Sequence, residues 1–498
     1  MSASESLDEQ IGGSGLDARG VTVAGLQRAM TAGSLTSAGL TAFYLGRIER
    51  LNPELHAVIT VSPEALAEAR ASDLARSSGQ ARGPLEGVPV LVKDNIAARG
   101  MPATAGSPAL LGAASADAFL VGRLRAAGAV IVGKANLSEW ANFRSTHPVS
   151  GWSTLGGQTV NPHGRGRSPS GSSSGSAAGL AAALAPLAVG TETDGSVLSP
   201  AGACGVVGLK PTLGLVSRGG IVPISLAQDT AGPMARCVAD AAALLDAMAG
   251  PDPADPATER RDDQVPGYAA FLDPGALAGA RVGVWREGSA AAGPATVAVL
   301  DAALARLRAS GAEVIDPVQL PDADKIGEPE FTALLHEFRH DLDAYLGALG
   351  GDHPATLADL IAFNNDHRDQ VLVHFGQERF EQAAATSGTL TDPPYLAARG
   401  EAQRLARAAL DSALAGHRLD AVIALTGSPA WLTDHVLGDY DMFGTASPCA
   451  VSGYPALSVP AGLVSGLPVG LTFMGPAWSE PTLIALAYAF EQAQEQTM

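Results

Sequence analysis

The chain has 498 residues, 46% hydrophobic and 17% charged, which supplies a large core and excludes the composition of disorder. Its 32 Lys and Arg against 51 Asp and Glu leave a net charge of −19, which argues against nucleic acid and anionic membrane surfaces as partners. Cys204, Cys237 and Cys449 lie far apart without CxxC, and the histidines show no HExxH, so buried free thiols and no metal are expected.

Residues 1–20 are polar and acidic and read as a mobile tail with no apolar signal segment. No run reaches the roughly 18 apolar residues of a membrane span. The expected compartment is the cytoplasm, with export left open. Thr22 is placed to cap a short helix through Met30, and Thr36 a longer one that Asn52-Pro53 stops. Leu40, Phe43, Tyr44, Ile48 and Leu51 recur at helical spacing, so one face of this helix packs on a core. Pro63 to Ser77 is another helix. Gly87 to Asn95 is short, apolar and β-branched, the pattern of a buried strand, and it delivers Lys93 at its end. A lysine there commonly pairs with a carboxylate, here the adjacent Asp94; the sharper alternative is a desolvated lysine able to act as a base. Spacing alone favours the pairing.

The alternation continues with a helix over Ala118 to Ala127, a strand over Val130 to Val132 and a helix over Leu137 to Asn142. Past the central stretch come a strand (Val206 to Leu209), a helix (Val238 to Met248) and an acidic, proline-rich surface connection (251–265). A strand (Arg281 to Trp285) and a helix (Ala295 to Ser310) follow, then a histidine-rich helical segment expected to cap the sheet, about 325–418. The chain closes with strands over Asp420 to Leu425 and Ser452 to Gly475 and a helix over Pro481 to Gln494.

Ser168 to Pro200 is the stretch around which the rest is organised. Its Ser/Gly loop, Ser170 to Ser176, leads into an apolar run, Ala177 to Val189, that suits a helix packed on all sides. A second glycine turn, Thr193-Asp194-Gly195-Ser196, follows. Serines near a helix N-terminus and free backbone amides are what acyl transfer can use. A flexible linker is the commoner reading of Ser and Gly, but linkers do not lead directly into a buried helix. A phosphate-binding loop is the other rival, but no GxxxxGK[ST] occurs and Ser170 to Gly179 contains no Lys, so the pattern leaves a catalytic or anion-binding role open.

Lys93 after a buried strand, Ser172 in the loop and Ser196 after Asp194-Gly195 resemble the amidase signature family. The resemblance implies an α/β fold with a mixed central sheet sandwiched between helices (α/β/α), a single domain over 21–498 and a helical insertion. It also implies a triad in which Lys93 is the base, Ser172 the bridging serine after a cis peptide bond, and Ser196 the nucleophile. The backbone of Thr193, Asp194, Gly195 and Ser196 would form the oxyanion hole, with Gly171 and Ser173 beside the substrate. The family's GGSSGGS and GTDxGGSxRxPA become SGSSSGS and GTETDGSVLSPA, with departures at Ser170, Ser174, Glu192, Asp194 and Leu198.

GTETDGS, together with GWSTLGGQTVNP (Gly151 to Pro162), Gly205 to Ala235, LADLIAFNN (Leu357 to Asn365) and GLPVGLTFMGPAWSEP (Gly466 to Pro481), is similar to the peptide amidase branch. The segments Gly151 to Pro162 and Gly466 to Pro481 are expected to line the cleft near Ser196. The resemblance implies hydrolysis of peptide C-terminal carboxamides to acid and ammonia, without cofactor or metal, by a monomer or weak homodimer. The runner-up is an amidase or urethanase for aryl amides, carbamates or esters, and behind it stands a non-hydrolytic amidotransferase component.

Overall fold

The computed structural model describes residues 10–11, 16–114, 116–260 and 267–495. Of the expected tail, 1–9 and 12–15 lie outside the described residues; Gln10–Ile11 pairs antiparallel with Leu16–Asp17, and Ile11 and Ala18 are buried in the main core.

Threonine caps open the first two helices. Thr22 Oγ1 accepts from Gly25 N at 3.1 Å at the start of α1 (Val23–Thr31), and Thr36 Oγ1 accepts from Gly39 N at 3.0 Å at the start of α2 (Ser37–Leu55). Leu40, Tyr44 and Ile48 are the buried face of α2, with Phe43 and Leu51 half-buried. Pro53 does not stop α2, which runs one turn further and ends at His56 in the left-handed conformation. A proline in the last turn forfeits only one backbone hydrogen bond, and the Glu49 residue left without that donor is exposed.

Among the described residues eleven strands form one mixed sheet. In chain order they are β1 (Val58–Val61), β2 (Pro89–Lys93), β3 (Val130–Ala135), β4 (Leu187–Glu192), β5 (Val207–Lys210), β6 (Thr230–Ala235), β7 (Arg281–Val284), β8 (Glu313–Ile315), β9 (Ala421–Leu425), β10 (Ala456–Val464) and β11 (Leu467–Met474). Their spatial order is β8-β7-β9-β11-β10-β5-β6-β4-β2-β3-β1. Two parallel trios, β4-β2-β3 and β9-β7-β8, flank an antiparallel middle. Helices cover both faces, and β2, β3, β4 and β9 are buried along their whole length, which is why they read as continuous apolar runs. No helix among the described residues is long and apolar enough to cross a membrane.

The run Ala177 to Val189 is not one helix. The helix, α3 here, is Ser174–Ala181, buried from Ser174 to Leu180. Ala183 then takes a φ of +52°, Leu184 N donates back to Gly179 O at 2.7 Å, and the chain enters β4. Pro186 lacks the N–H that would continue a helix, and the sheet claims the apolar residues after it. Gly175 is needed inside α3, because a Cβ there would lie 2.3 Å from Ala57 O and 2.5 Å from Asn136 N.

Two further expectations change. Glu139–Asn142 is a tight turn rather than a helix, with Trp140, Ala141 and Asn142 at φ values of 51°, 53° and 68°. Glu139 pairs with Arg144 and accepts from Thr154 N at 2.6 Å, so tertiary bonds set this turn. The acidic connection is only partly a surface feature, since Asp252 and Asp255 are buried. Ser217 Oγ donates to Asp252 and the Arg218 guanidinium pairs with Asp255. Residues 261–265 of that connection lie outside the described residues. Cys204 and Cys449 are buried free thiols, whereas Cys237 is only half-buried.

The segment expected to cap the sheet holds helices α4 (Gly327–Ala348), α5 (Leu357–Asp366), α6 (Glu378–Ala384) and α7 (Pro393–His417), with a single turn at Arg368–Val371. Phe338 of α4 stacks on Phe380 of α6, with ring centroids 5.2 Å apart, and both belong to the main core.

Candidate active site

Lys93 ends β2 between β3 and β4 and is 0% exposed. Its Nζ lies 2.8 Å from Ser172 Oγ, 2.8 Å from Thr191 Oγ1 and 3.2 Å from Thr191 O. A carbonyl can only accept, and Asn95 Nδ2 also donates to Thr191 Oγ1 at 3.0 Å. A neutral amine satisfies this set by donating twice to Thr191 and accepting from the Ser172 hydroxyl. Burial drives the Lys93 pKa down to about 7, against the opposing pull of Asp229 and Glu192. Asp94 does not pair with Lys93. It lies 3.2 Å from Lys134 Nζ and accepts from Thr104 Oγ1 and Gly106 N.

The peptide bond between Gly171 and Ser172 is cis, and Ser172 is fully buried. Ser173 N donates to Ser196 O at 3.1 Å, tying the Ser/Gly loop to the second turn. Gly195 makes that turn at a φ of +78°. Ser196 is 8% exposed and borders the cleft, and among the described residues its hydroxyl forms no intramolecular hydrogen bond.

Glu192 organises the turn. Its Oε2 accepts from Val197 N at 2.7 Å and Leu198 N at 3.0 Å, and the Gly195 amide faces the same carboxyl. The amides of Thr193, Asp194 and Ser196 form no hydrogen bond among the described residues. Thr193 Oγ1 donates to Asp229 Oδ1 at 2.5 Å, which fixes the start of the turn. Burial raises the Glu192 carboxyl above its ordinary range and lifts Asp229 to about 6. Leu198, where the family carries arginine, packs in an apolar cluster with Trp285, Val422 and Met474.

The cleft has two limbs of about 350 and 320 Å³ that share Asn142, Gly171, Asp194 and Arg379. One limb is polar, with Ser428, Trp431, Asp439 and Asp441; the other, beside Ser196, is mixed, with Phe143, Ile224, Phe331 and Leu334 facing Thr193, Glu330 and the shared polar residues. Asp194 accepts from Ser447 Oγ at 2.6 Å and faces the Glu330 carboxyl, and burial raises it to about 6. Gly171 borders both limbs of the cleft. Ser173 does not: it is buried, donating from Oγ to Thr191 O at 3.1 Å and accepting from Thr191 N at 3.2 Å.

The segments Gly151 to Pro162 and Gly466 to Pro481 do not line either limb. Gly151 N donates to Ser138 Oγ and Ser153 Oγ to Asn136 Oδ1, so the first segment buttresses the Ser138–Asn142 turn from behind. The second contains β11, buried in the sheet.

Sequence reasoning missed Thr191, Asn95, Asp229, Glu330 and Arg379. Thr191 was within reach, because the pairing of Val92 with Val189 carries Thr191 alongside the end of β2. Glu330 and Arg379 come from helices far along the chain and carry no local motif. Among the described residues no group of three or more His, Cys, Asp or Glu converges as a metal site requires.

The amidase family model matches residues 39–484. The chain is 52% identical to the native peptide amidase of Stenotrophomonas maltophilia, whose X-ray structure superposes with a TM-score of 0.90 over 95% of this chain and 96% of that one. It is 43% identical over 484 residues to a probable amidase of Arabidopsis thaliana, covering 95% of this chain and 90% of that protein. It is 36% identical over 482 residues to a glutamyl-tRNA(Gln) amidotransferase component from Symbiobacterium thermophilum, covering 95% of this chain and 96% of that protein. With its mixed sheet and its helices on both faces, the chain belongs to the amidase signature family, in the peptide amidase branch, and is an amide-hydrolysing enzyme.

Proposed function

We propose that the protein hydrolyses the C-terminal carboxamide of peptides, releasing the free acid and ammonia through an acyl-enzyme at Ser196. The observation that carries this reading is Lys93, fully buried and in contact with hydroxyls and a carbonyl rather than a carboxylate. Neutral Lys93 takes the Ser172 proton as Ser172 takes that of Ser196, and Ser196 Oγ bonds to the amide carbon. The two serine hydroxyls must meet for this relay, a contact that tightens when substrate fills the cleft. The amides of Thr193, Asp194 and Ser196 face the oxyanion. Its collapse breaks the C–N bond, the relay returns a proton to the leaving nitrogen, and ammonia departs. Water, deprotonated by the same relay, then attacks the ester and frees the acid.

The two limbs support a peptidyl acyl group, the limb with Phe143, Ile224, Phe331 and Leu334 taking the side chain of the amidated residue and the more polar one the chain before it. The 52% identity to a peptide amidase points the same way. Mass spectrometry of an amidated peptide with an internal Gln tests it. The expected result is a gain of about one mass unit confined to the C-terminus, as OH replaces NH2, and lost in a folded Ser196→Ala variant. Internal cleavage, deamidated Gln, or no reaction alongside rapid carbamate or anilide hydrolysis would overturn the peptide-amide assignment.

A further inference from the structure

Arg379, the second residue of α6, borders both limbs of the cleft at their junction. Its guanidinium lies over the rings of Phe143 and Phe331, 5.5 Å from each centroid. Nη1 donates to Asn142 O at 3.2 Å, and Nε is buried without a hydrogen-bond partner. Among the described residues Arg379 forms no ion pair. The carboxylate next to it in sequence, Glu378, is taken by Ser145 Oγ at 2.6 Å and Thr146 N at 3.2 Å. Asp194, Glu330, Asp439 and Asp441 line the same limbs, yet none of them neutralises this cation. An aromatic pair thus holds a partly buried cation, with Glu378 acting on it without contact, where the two limbs join. Nη2 forms no hydrogen bond among the described residues and is not closed off as Nε is, so the guanidinium keeps a donor for an arriving carbonyl oxygen.

A peptide amide brings such an oxygen. The residue carrying the scissile amide is itself acylated on nitrogen, so a second carbonyl lies a few bonds from the reacting carbon; a simple carboxamide has none. We propose that Arg379 is the specificity-determining residue of the cleft, donating to the carbonyl of the peptide bond that precedes the amidated residue. This assignment rests on the peptide-amide reading and names the residue that separates α-acylamino amides from simple amides.

The test compares N-acetylphenylalaninamide with 3-phenylpropanamide, which has the same phenyl group and scissile amide but lacks the acylamino group. Replacing Arg379 by Met should lower kcat/KM for the acetylated amide about 10- to 100-fold, chiefly through KM, the size expected for one charge-assisted hydrogen bond. The same Arg379→Met change should leave the phenylpropanamide within about threefold of wild type, and Arg379→Lys should recover part of the loss. Equal losses on both substrates would mean that Arg379 only props Phe143 and Phe331. That result, or an unchanged KM for the acetylated amide, overturns the assignment while leaving the peptide-amide reading intact. A wild-type enzyme that accepts the phenylpropanamide and rejects the acetylated amide overturns both.

Discussion

Two lysines sit at 0% exposure on neighbouring parallel strands, Lys93 on β2 and Lys134 on β3, and what surrounds them separates their roles. Lys134 Nζ lies 3.2 Å from Asp94 Oδ1 and donates to Pro102 O at 3.0 Å. Lys93 Nζ meets two hydroxyls and a carbonyl, with no carboxylate in contact. Burial lowers both pKa values. At Lys134 the touching Asp94 carboxylate opposes the shift, whereas at Lys93 the opposing charges, Asp229 and Glu192, act without contact and the value falls to about 7. Equal burial thus leaves one lysine in contact with a carboxylate and the other in contact only with hydroxyls and a carbonyl, the surroundings the proposed base requires.

The largest effect expected from this contrast is at Lys93. Replacement by Arg, which stays charged, or by Met, which has no basic nitrogen, should lower kcat by about 10³-fold or more. Thermal unfolding should show the variants folded. A variant with near-normal turnover would sink the base assignment.

The opposite signature is expected at Lys134. Lys134→Met leaves Asp94 buried without its cation and should cost about 3–5 kcal/mol in denaturant unfolding. In the surviving folded fraction kcat should change little. Lost turnover at unchanged stability would show that the two pockets do not divide base from scaffold.

The pH profile sharpens the comparison with the smallest effect. The base must be neutral, so activity should rise with pH, about tenfold per unit below the controlling pKa, and level off above roughly pH 7. Deprotonation at Lys93 gives that sign, because the active form appears as the proton leaves. A profile still climbing to the roughly 10.4 of free lysine would mean that Lys93 is not desolvated during turnover.

Much of the scaffold was legible in the chain alone. Thr22 and Thr36 announce their helices through local cap chemistry, and the strand ending at Lys93 announces itself as a short apolar run. Lys93, Ser172 and Ser196 stood out because a motif carried them. The run Ala177 to Val189 misled, since alanine-rich segments suit a buried helix and a buried strand alike until Ala183 reverses the chain. Glu139–Asn142 misled for a related reason: ion pairing to Arg144 and a bond from Thr154 override helical preference there.

The sequence by itself determined where the threonine-capped helices begin and which segments are apolar enough to be interior strands. These depend on neighbours within a turn or two. Only the tertiary structure decided that Asp94 serves Lys134 and leaves Lys93 to Thr191 and Ser172, that Ser173 faces inward while Gly171 faces the cleft, and that Arg379 joins the two limbs. Each of those outcomes turns on desolvation and charge contact between residues remote in the chain, quantities that exist only once the sheet has closed around them.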